Sequence, residues 1–187
     1  MSISLAIDTS TSRTSVALLK DQKVLWLGSH DGATDHGKAL TELVQEALTQ
    51  TSEISKVYVG MGPGPYTGLR VGISFAQAFA LAREVEVVGV CSLDAIECGE
   101  SEYVTATDAR RKEIYWARYK DGKRIVGPSV NLPSEVTSEF FVGEGAVKYG
   151  LSINDGFPNL AIFPSLTPVL APMYLRRPDA VPTAERV

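Results

Sequence analysis

The chain has 187 residues, 44% hydrophobic and 21% charged, with a formal net charge of −4, a pI near 5.3 and a mean hydropathy of +0.03. That apolar content supplies a sizeable core in one domain or two small lobes and excludes wholesale disorder, while the acidic surface excludes strong nucleic-acid binding by this chain alone, because it repels phosphates. Two cysteines, Cys91 and Cys98, without a CxxC pair and with only His30 and His36 to help them, exclude a structural zinc site and read as reduced thiols.

The first segment, Met1 to Asp8, has no basic start and no long apolar core, so it is not expected to be a signal peptide. Ser4 to Asp8, Thr14 to Lys20 and Lys23 to Gly28 read as three strands, close enough in sequence to pair as an antiparallel meander. Thr34 and Asp35 then precede Leu40, Leu43, Val44, Ala47 and Leu48 at helical spacing. Lys56 to Met61 reads as a buried strand, broken by Gly62-Pro63-Gly64-Pro65. A helix is predicted from about Thr67 to Arg83, a strand over 85–90, and a short capped helix from Ser92 to Cys98. Beyond a lobe boundary placed near Gly99, strands are predicted at Tyr103 to Thr107, Glu113 to Tyr119 and Phe140 to Gly143. Asp121-Gly122 reads as a turn, and the tail after Gly150 as loop-rich with six prolines. A meander feeding alternating helices and strands implies an α/β fold, a mixed sheet with helices packed on it. No apolar run approaches the roughly 18 residues of a membrane span, so a soluble cytoplasmic protein is expected.

Four segments offer chemistry. In Asp8-Thr9-Ser10-Thr11-Ser12 a carboxylate ends a strand and a hydroxyl-rich turn follows; it reads either as a phosphate and metal cradle or as a polar hairpin whose hydroxyls satisfy turn amides. Gly60 to Gly72 brings glycines to a helix start, where a backbone can approach an anion. It lacks GxxxxGK[ST], and Pro63 and Pro65 remove amide donors, so a rigid strand-to-helix turn is the equal alternative. The helix stretch from Ile73 to Ala82 has only Ser74 and Gln77 as polar residues, so it must be buried on all sides or meet a partner. Asp108-Ala109-Arg110-Arg111-Lys112-Glu113 reads as a solvated hairpin turn, and His36 as a surface or capping-region histidine. There is no GxSxG and no HExxH.

These segments in this order resemble the TsaB (YeaZ) family. The residues that carry the resemblance are Ala6 to Thr11, Gly62 to Gly72 with Gly62, Gly64, Thr67, Gly68 and Arg70, Asp108 to Arg111 with Glu113, and the closing Tyr174-Leu175-Arg176-Arg177-Pro178. The resemblance implies an actin/Hsp70/sugar-kinase-like (ASKHA) fold, with an N-terminal lobe over 1–99 and a smaller C-terminal lobe and tail over 100–187. It implies a scaffold or activator subunit that is not an enzyme on its own and holds no cofactor. The implied partner is the paralogue TsaD, which transfers a threonylcarbamoyl group to adenosine 37 of transfer RNAs reading ANN codons. TsaE and transfer RNA are implied only through that complex, and a homodimer when TsaD is absent. TsaD carries Asn-His-Leu-Glu-Gly-His where this chain has Cys91-Ser92-Leu93-Asp94-Ala95-Ile96, so Ser92 and Ile96 stand at its metal-ligand positions and no metal is expected. Asp8, Ser10 and Thr11 are then a vestigial phosphate-type turn whose alanine variants cost about 1 kcal/mol of turn stability.

The implied interface is a pair of N-lobe helices. Leu40, Leu43, Phe75, Ala76, Phe79 and Ala80 are its expected residues, and charges at Ala76 or Ala80 are expected to give a folded monomer. Relatives in this family carry a further C-terminal helix before the Tyr-Leu-Arg signature, whereas here Phe163 to Pro168 leads almost directly into Tyr174. The competing reading is a free-standing nucleotide-dependent phosphotransferase or a metallopeptidase-like enzyme. It needs an adenosine-binding segment or a ligand pair that this sequence does not offer.

Overall fold

A computed structural model describes residues 2–32 and 34–176. The expected meander forms: β1 (Ile3–Asp8), β2 (Arg13–Lys20) and β3 (Lys23–Asp31) pair antiparallel in sequence order. β3 runs three residues beyond the expected end at Gly28. α1 (His36–Gln50) follows, then β4 (Lys56–Gly60), α2 (Tyr66–Arg83) and β5 (Glu86–Val90). β4 pairs parallel with β1, and β5 parallel with β4, giving the order β3-β2-β1-β4-β5. A three-strand meander extended by two parallel strands through helical crossovers is the mixed sheet with helices expected for the first lobe.

One face of this sheet carries both helices. Leu5, Ile7, Val16, Leu18, Val57 and Val59 pack there against Leu40, Val44, Ala47, Leu69, Ile73, Ala76 and Ala80. These strand residues alternate by two, as a sheet with distinct faces requires. The other face carries the intervening Ala6, Ala17 and Leu19 with Val90, and it is closed by Leu160 and Phe163 from a 3-10 turn at Leu160–Ser165. The loop-rich tail therefore returns to the first sheet. Pro168 bridges to Val90, the Val169 amide donates to the Gly89 carbonyl at 2.9 Å, and the Met173 amide to the Met61 carbonyl at 2.8 Å.

A second sheet has the order β8-β7-β6-β9, built from β6 (Glu102–Asp108), β7 (Ile114–Lys120), β8 (Lys123–Asn131) and β9 (Phe141–Val142). β8 was not expected from the sequence, and it carries Gly127-Pro128 in its middle. It lies at the sheet edge, where a proline has no ladder bond to break on its solvent side. A short α3 (Glu144–Lys148) follows β9 and was also not anticipated. The expected helix from Ser92 to Cys98 is a single 3-10 turn at Ser92–Ala95.

Candidate functional site

Asp8 ends β1 on the central line of the first sheet, and its carboxylate is buried. Three donors converge on it. The Ser10 amide and hydroxyl reach Oδ1 at 2.8 and 2.7 Å, and the Ser92 hydroxyl reaches Oδ2 at 2.6 Å. Burial raises the Asp8 pKa above its ordinary value, the Glu144 charge adds to the rise, and the Ser92 and Ser10 hydrogen bonds oppose it. A raised acid contributes stability that is full below its unfolded pKa and is lost as pH rises through its folded pKa. Ionised Asp8 is thus a cost at neutral pH. Asp8→Asn keeps an acceptor for Ser10 and lets the Ser92 hydroxyl turn to accept. We expect this variant to melt higher than the parent at pH 7, with the difference closing on acidification towards pH ~4. A lower melting temperature at pH 7 would mean that the charge itself is used.

Asp8→Ala leaves an amide and two hydroxyls without their acceptor. The expected destabilisation is about 3 kcal/mol, not the 1 kcal/mol of an ordinary turn. Thr11 is also buried, with its hydroxyl 3.3 Å from the Arg13 carbonyl and accepting the Arg13 amide at 3.2 Å.

The rest of the turn is filled from outside. The Ser12 amide donates to both carboxylate oxygens of Glu144 at 3.2 Å, and the Ser12 hydroxyl also bonds Glu144. An anion already lies against this turn, and it belongs to α3 of the second sheet's layer. Sequence reasoning missed Glu144, whose partner lies 132 residues away.

The glycine-rich segment packs on the same turn. Gly64 lies so close to Ser10 that a Cβ there would stand 2.4 Å from the Ser10 carbonyl oxygen, and one at Gly60 would stand 1.9 Å from Asp8 Oδ2. These glycines allow backbone approach, and what approaches is the chain's own hairpin. The Thr9 hydroxyl donates to the Gly68 carbonyl at 2.7 Å, at the start of α2. Gly62 has φ +91°, the turn that swings the chain from β4 towards α2. Thr67 and Arg70 are exposed instead, with Arg70 Nη1 donating to the Tyr66 hydroxyl at 3.2 Å.

His36, expected at the surface or in a capping region, stands at the first residue of α1 but is buried, with Nδ1 2.8 Å from the Thr14 hydroxyl. Burial lowers its pKa, and the nearby Arg110 charge lowers it further.

Ser92 and Ile96, which the family resemblance sets at metal-ligand positions, are each 1% exposed. The Ser92 hydroxyl is committed to Asp8, and Ile96 packs with Leu93, Tyr103 and Val142. These residues do not fit a metal. Among the described residues, no three His, Cys, Asp or Glu side chains are grouped to hold one. No described helix is long and apolar enough to cross a membrane.

The interface expectation needs correction. Leu40, Leu43, Ala76 and Ala80 all belong to the chain's own core, Ala76 at 0% and Ala80 at 1% exposure. Leu40 and Leu43 face the sheet because α1 lies on β2 and β3, and Ala76 and Ala80 because α2 lies on β4 and β1. Phe75 and Phe79 are half-buried and stack on each other with centroids 6.0 Å apart. The outward line of α2 is Thr67, Arg70, Ser74, Gln77, Ala78, Leu81 and Ala82, with Leu81 81% exposed. Four of these seven are polar and recur at helical spacing, but the apolar residues around them carry no mark of which join the core. Arg177 and Pro178 of the closing signature lie outside the described residues.

Comparison with known proteins places these features. A family model described as TsaD, tRNA N6-adenosine threonylcarbamoyltransferase, matches residues 31–149. An uncharacterised protein of Mycobacterium leprae is 40% identical over 97% of this chain and 57% of its own length. The tRNA threonylcarbamoyladenosine biosynthesis protein TsaB of Escherichia coli is 36% identical over 128 residues, 62% of this chain and 54% of that protein. The chain thus spans little more than half the length of these two relatives. The solved structure of YeaZ from Pseudomonas aeruginosa superposes with a TM-score of 0.70 at 28% identity, over 89% of this chain and 90% of that one. Given a fold match over nearly all of both chains and sequence matches that run through the glycine-rich segment, this chain belongs to the TsaB (YeaZ) family.

Proposed function

We propose that this chain is a non-catalytic subunit of tRNA threonylcarbamoyladenosine synthesis, working in the cytoplasm as the helical partner of a TsaD-type transferase. The observation that carries the reading is the state of the inherited site. Asp8 is buried under its own hydroxyls, the turn amide is taken by Glu144, and Ser92 and Ile96 are committed to packing. A site whose polar groups are saturated internally has nothing left to stabilise a developing charge in a substrate. The family match supplies the process, and the exposed line of α2 supplies the contact.

In this reading residues 1–99 form the partner-binding lobe and 100–187 the smaller lobe and tail, whose Leu160–Ser165 turn braces the first sheet. Ser74, Ala78 and Ala82 are small residues one turn apart, so a partner helix can approach closely, with Leu81 and half-buried Val71 and Phe75 supplying apolar area. The same line pairs two copies of this chain when the transferase is absent. TsaE and tRNA join through the assembled complex.

The test is reconstitution with the TsaD-type protein of the same cell. Threonylcarbamoyl transfer to tRNA should require both chains, and this chain alone should transfer none. Full transfer by the partner alone, or turnover by this chain alone, would overturn the assignment.

A further inference from the structure

The hairpin joining β6 to β7 has an unusual backbone. Arg110, Arg111 and Lys112 follow one another with φ of 63°, 51° and 65°. That left-handed region costs an L residue free energy and costs glycine none, and runs of it are rare without glycine. Strain of this kind persists only where the surroundings hold it, and here they do. The Arg110 amide donates to Asp108 Oδ1 at 3.0 Å, the Ala109 amide to the Glu113 carbonyl at 3.0 Å, and the Glu113 amide to the Arg110 carbonyl at 2.9 Å. Lys148 and the Tyr149 hydroxyl fix Asp108 at 2.6 and 3.0 Å, and Arg176 holds the Ala109 carbonyl at 2.7 Å while pairing with Glu113.

Backbone groups, Asp108 and the Arg176 strap thus shape the loop. The Arg110 and Lys112 side chains contribute little to that shape. Both residues are exposed, and Arg110 Nε is 3.7 Å from Asp108 Oδ2, a loose contact. Glycine would serve the backbone better at both positions, yet long cations stand there. In a chain of net charge −4, they form a local basic point beside the start of α1, near enough to His36 for Arg110 to depress its pKa.

We propose that this hairpin is an RNA contact, with Arg110 and Lys112 reaching phosphates of the tRNA held by the assembled complex. The inference rests on the tRNA-modification reading above, which brings a polyanion to this chain. Two phosphate contacts fit a supporting role beside a partner that binds the substrate.

Left-handed geometry supplies an unusually clean variant. Arg110→Gly with Lys112→Gly removes both cations and relieves the backbone, so the fold is retained. Circular dichroism, melting temperature and assembly with the TsaD-type partner should match the parent. The tRNA dissociation constant of the assembled complex should rise on the order of tenfold at physiological salt, and the slope of log affinity against log salt should flatten by about 1.5. Unchanged affinity and slope in a well-formed complex would overturn the proposal. Loss of assembly would also overturn it, by making the hairpin a protein contact. If no TsaD-type partner associates with the parent, the functional reading fails separately. The chain alone, titrated with an anticodon stem-loop RNA at low salt, then decides: amide NMR signals of residues 109–113 should move in the parent and not in the variant, and no movement in the parent overturns the proposal.

Discussion

Arginine at Ala78 should leave this chain's stability unchanged and abolish its association with a TsaD-type partner, whereas aspartate at Ala76, two residues earlier, should strongly destabilise the fold. Both are alanines on α2, and they face opposite ways. Ala78 is exposed, so its arginine extends into water in the free chain at a cost within about 0.5 kcal/mol. In the complex the same guanidinium would be buried against a closely packed helix without a counter-ion, costing about 3 kcal/mol or more, a hundredfold or greater loss of affinity. Ala76 is fully buried between α2 and the first sheet, where an unpaired carboxylate costs about 4 kcal/mol. That is a large part of a typical total of roughly 5–15 kcal/mol, and the melting temperature should drop by roughly 10 °C. Light scattering and circular dichroism of the two variants, beside a binding curve, measure both. If Ala78→Arg binds normally, the contact lies off α2. If Ala76→Asp stays folded and only loses binding, then α2 must be able to turn its buried face outward.

The second large effect concerns the positions at which the family resemblance implies metal ligands in a paralogue. Ser92→His with Ile96→His, which places histidines there, should yield a poorly folded protein, not a metalloprotein. Imidazole at 92 overfills a site already in contact with Asp8 and the Gly60 backbone, and it removes a donor from a buried carboxylate. Imidazole at 96 places a polar ring among Leu93, Tyr103 and Val142. The combined loss is about 4–6 kcal/mol, visible as a collapse of the melting temperature and of soluble yield. Metal analysis of whatever folded material remains should show no stoichiometric iron or zinc. A stable double variant holding one metal per chain would mean that the site is only two substitutions from its catalytic form, and it would undo the packing argument for a non-catalytic subunit.

The acid dependence of Asp108 runs opposite to that of Asp8. Burial alone would raise its pKa, but Lys148, the Arg110 amide and the Tyr149 hydroxyl outweigh it and lower the pKa below its ordinary value. Its contribution is present above the unfolded carboxylate pKa and is lost as pH falls through the folded one. The hairpin network and the Asp8 turn therefore respond to acid with opposite signs.

The sequence by itself determined the meander, the two crossovers and the family. Short strand-like runs close together in β1 to β3 and helical spacing in α1 are local signals, and the glycine-rich segment is a motif read along the chain. The stripe Thr67, Arg70, Ser74 and Gln77 marks the outward side of α2, but only the tertiary structure decided how its apolar residues divide between core and surface, leaving Leu81 exposed and Ala76 buried. The same holds for Ala76 and Ala80, which side-chain chemistry alone suggested for a partner and packing assigned to the core. Edge strand β8 was not anticipated, and it tolerates Pro128 because a proline's fitness for a sheet depends on whether a neighbour lies beside it. Glu144 filling the Ser12 turn, Phe163 closing the first sheet and Arg176 holding the Ala109 hairpin join residues far apart in sequence. No local pattern encodes such pairs. Burial, hydrogen-bond satisfaction and the pKa values that follow from them belong to two surfaces brought together, and only the folded chain specifies both.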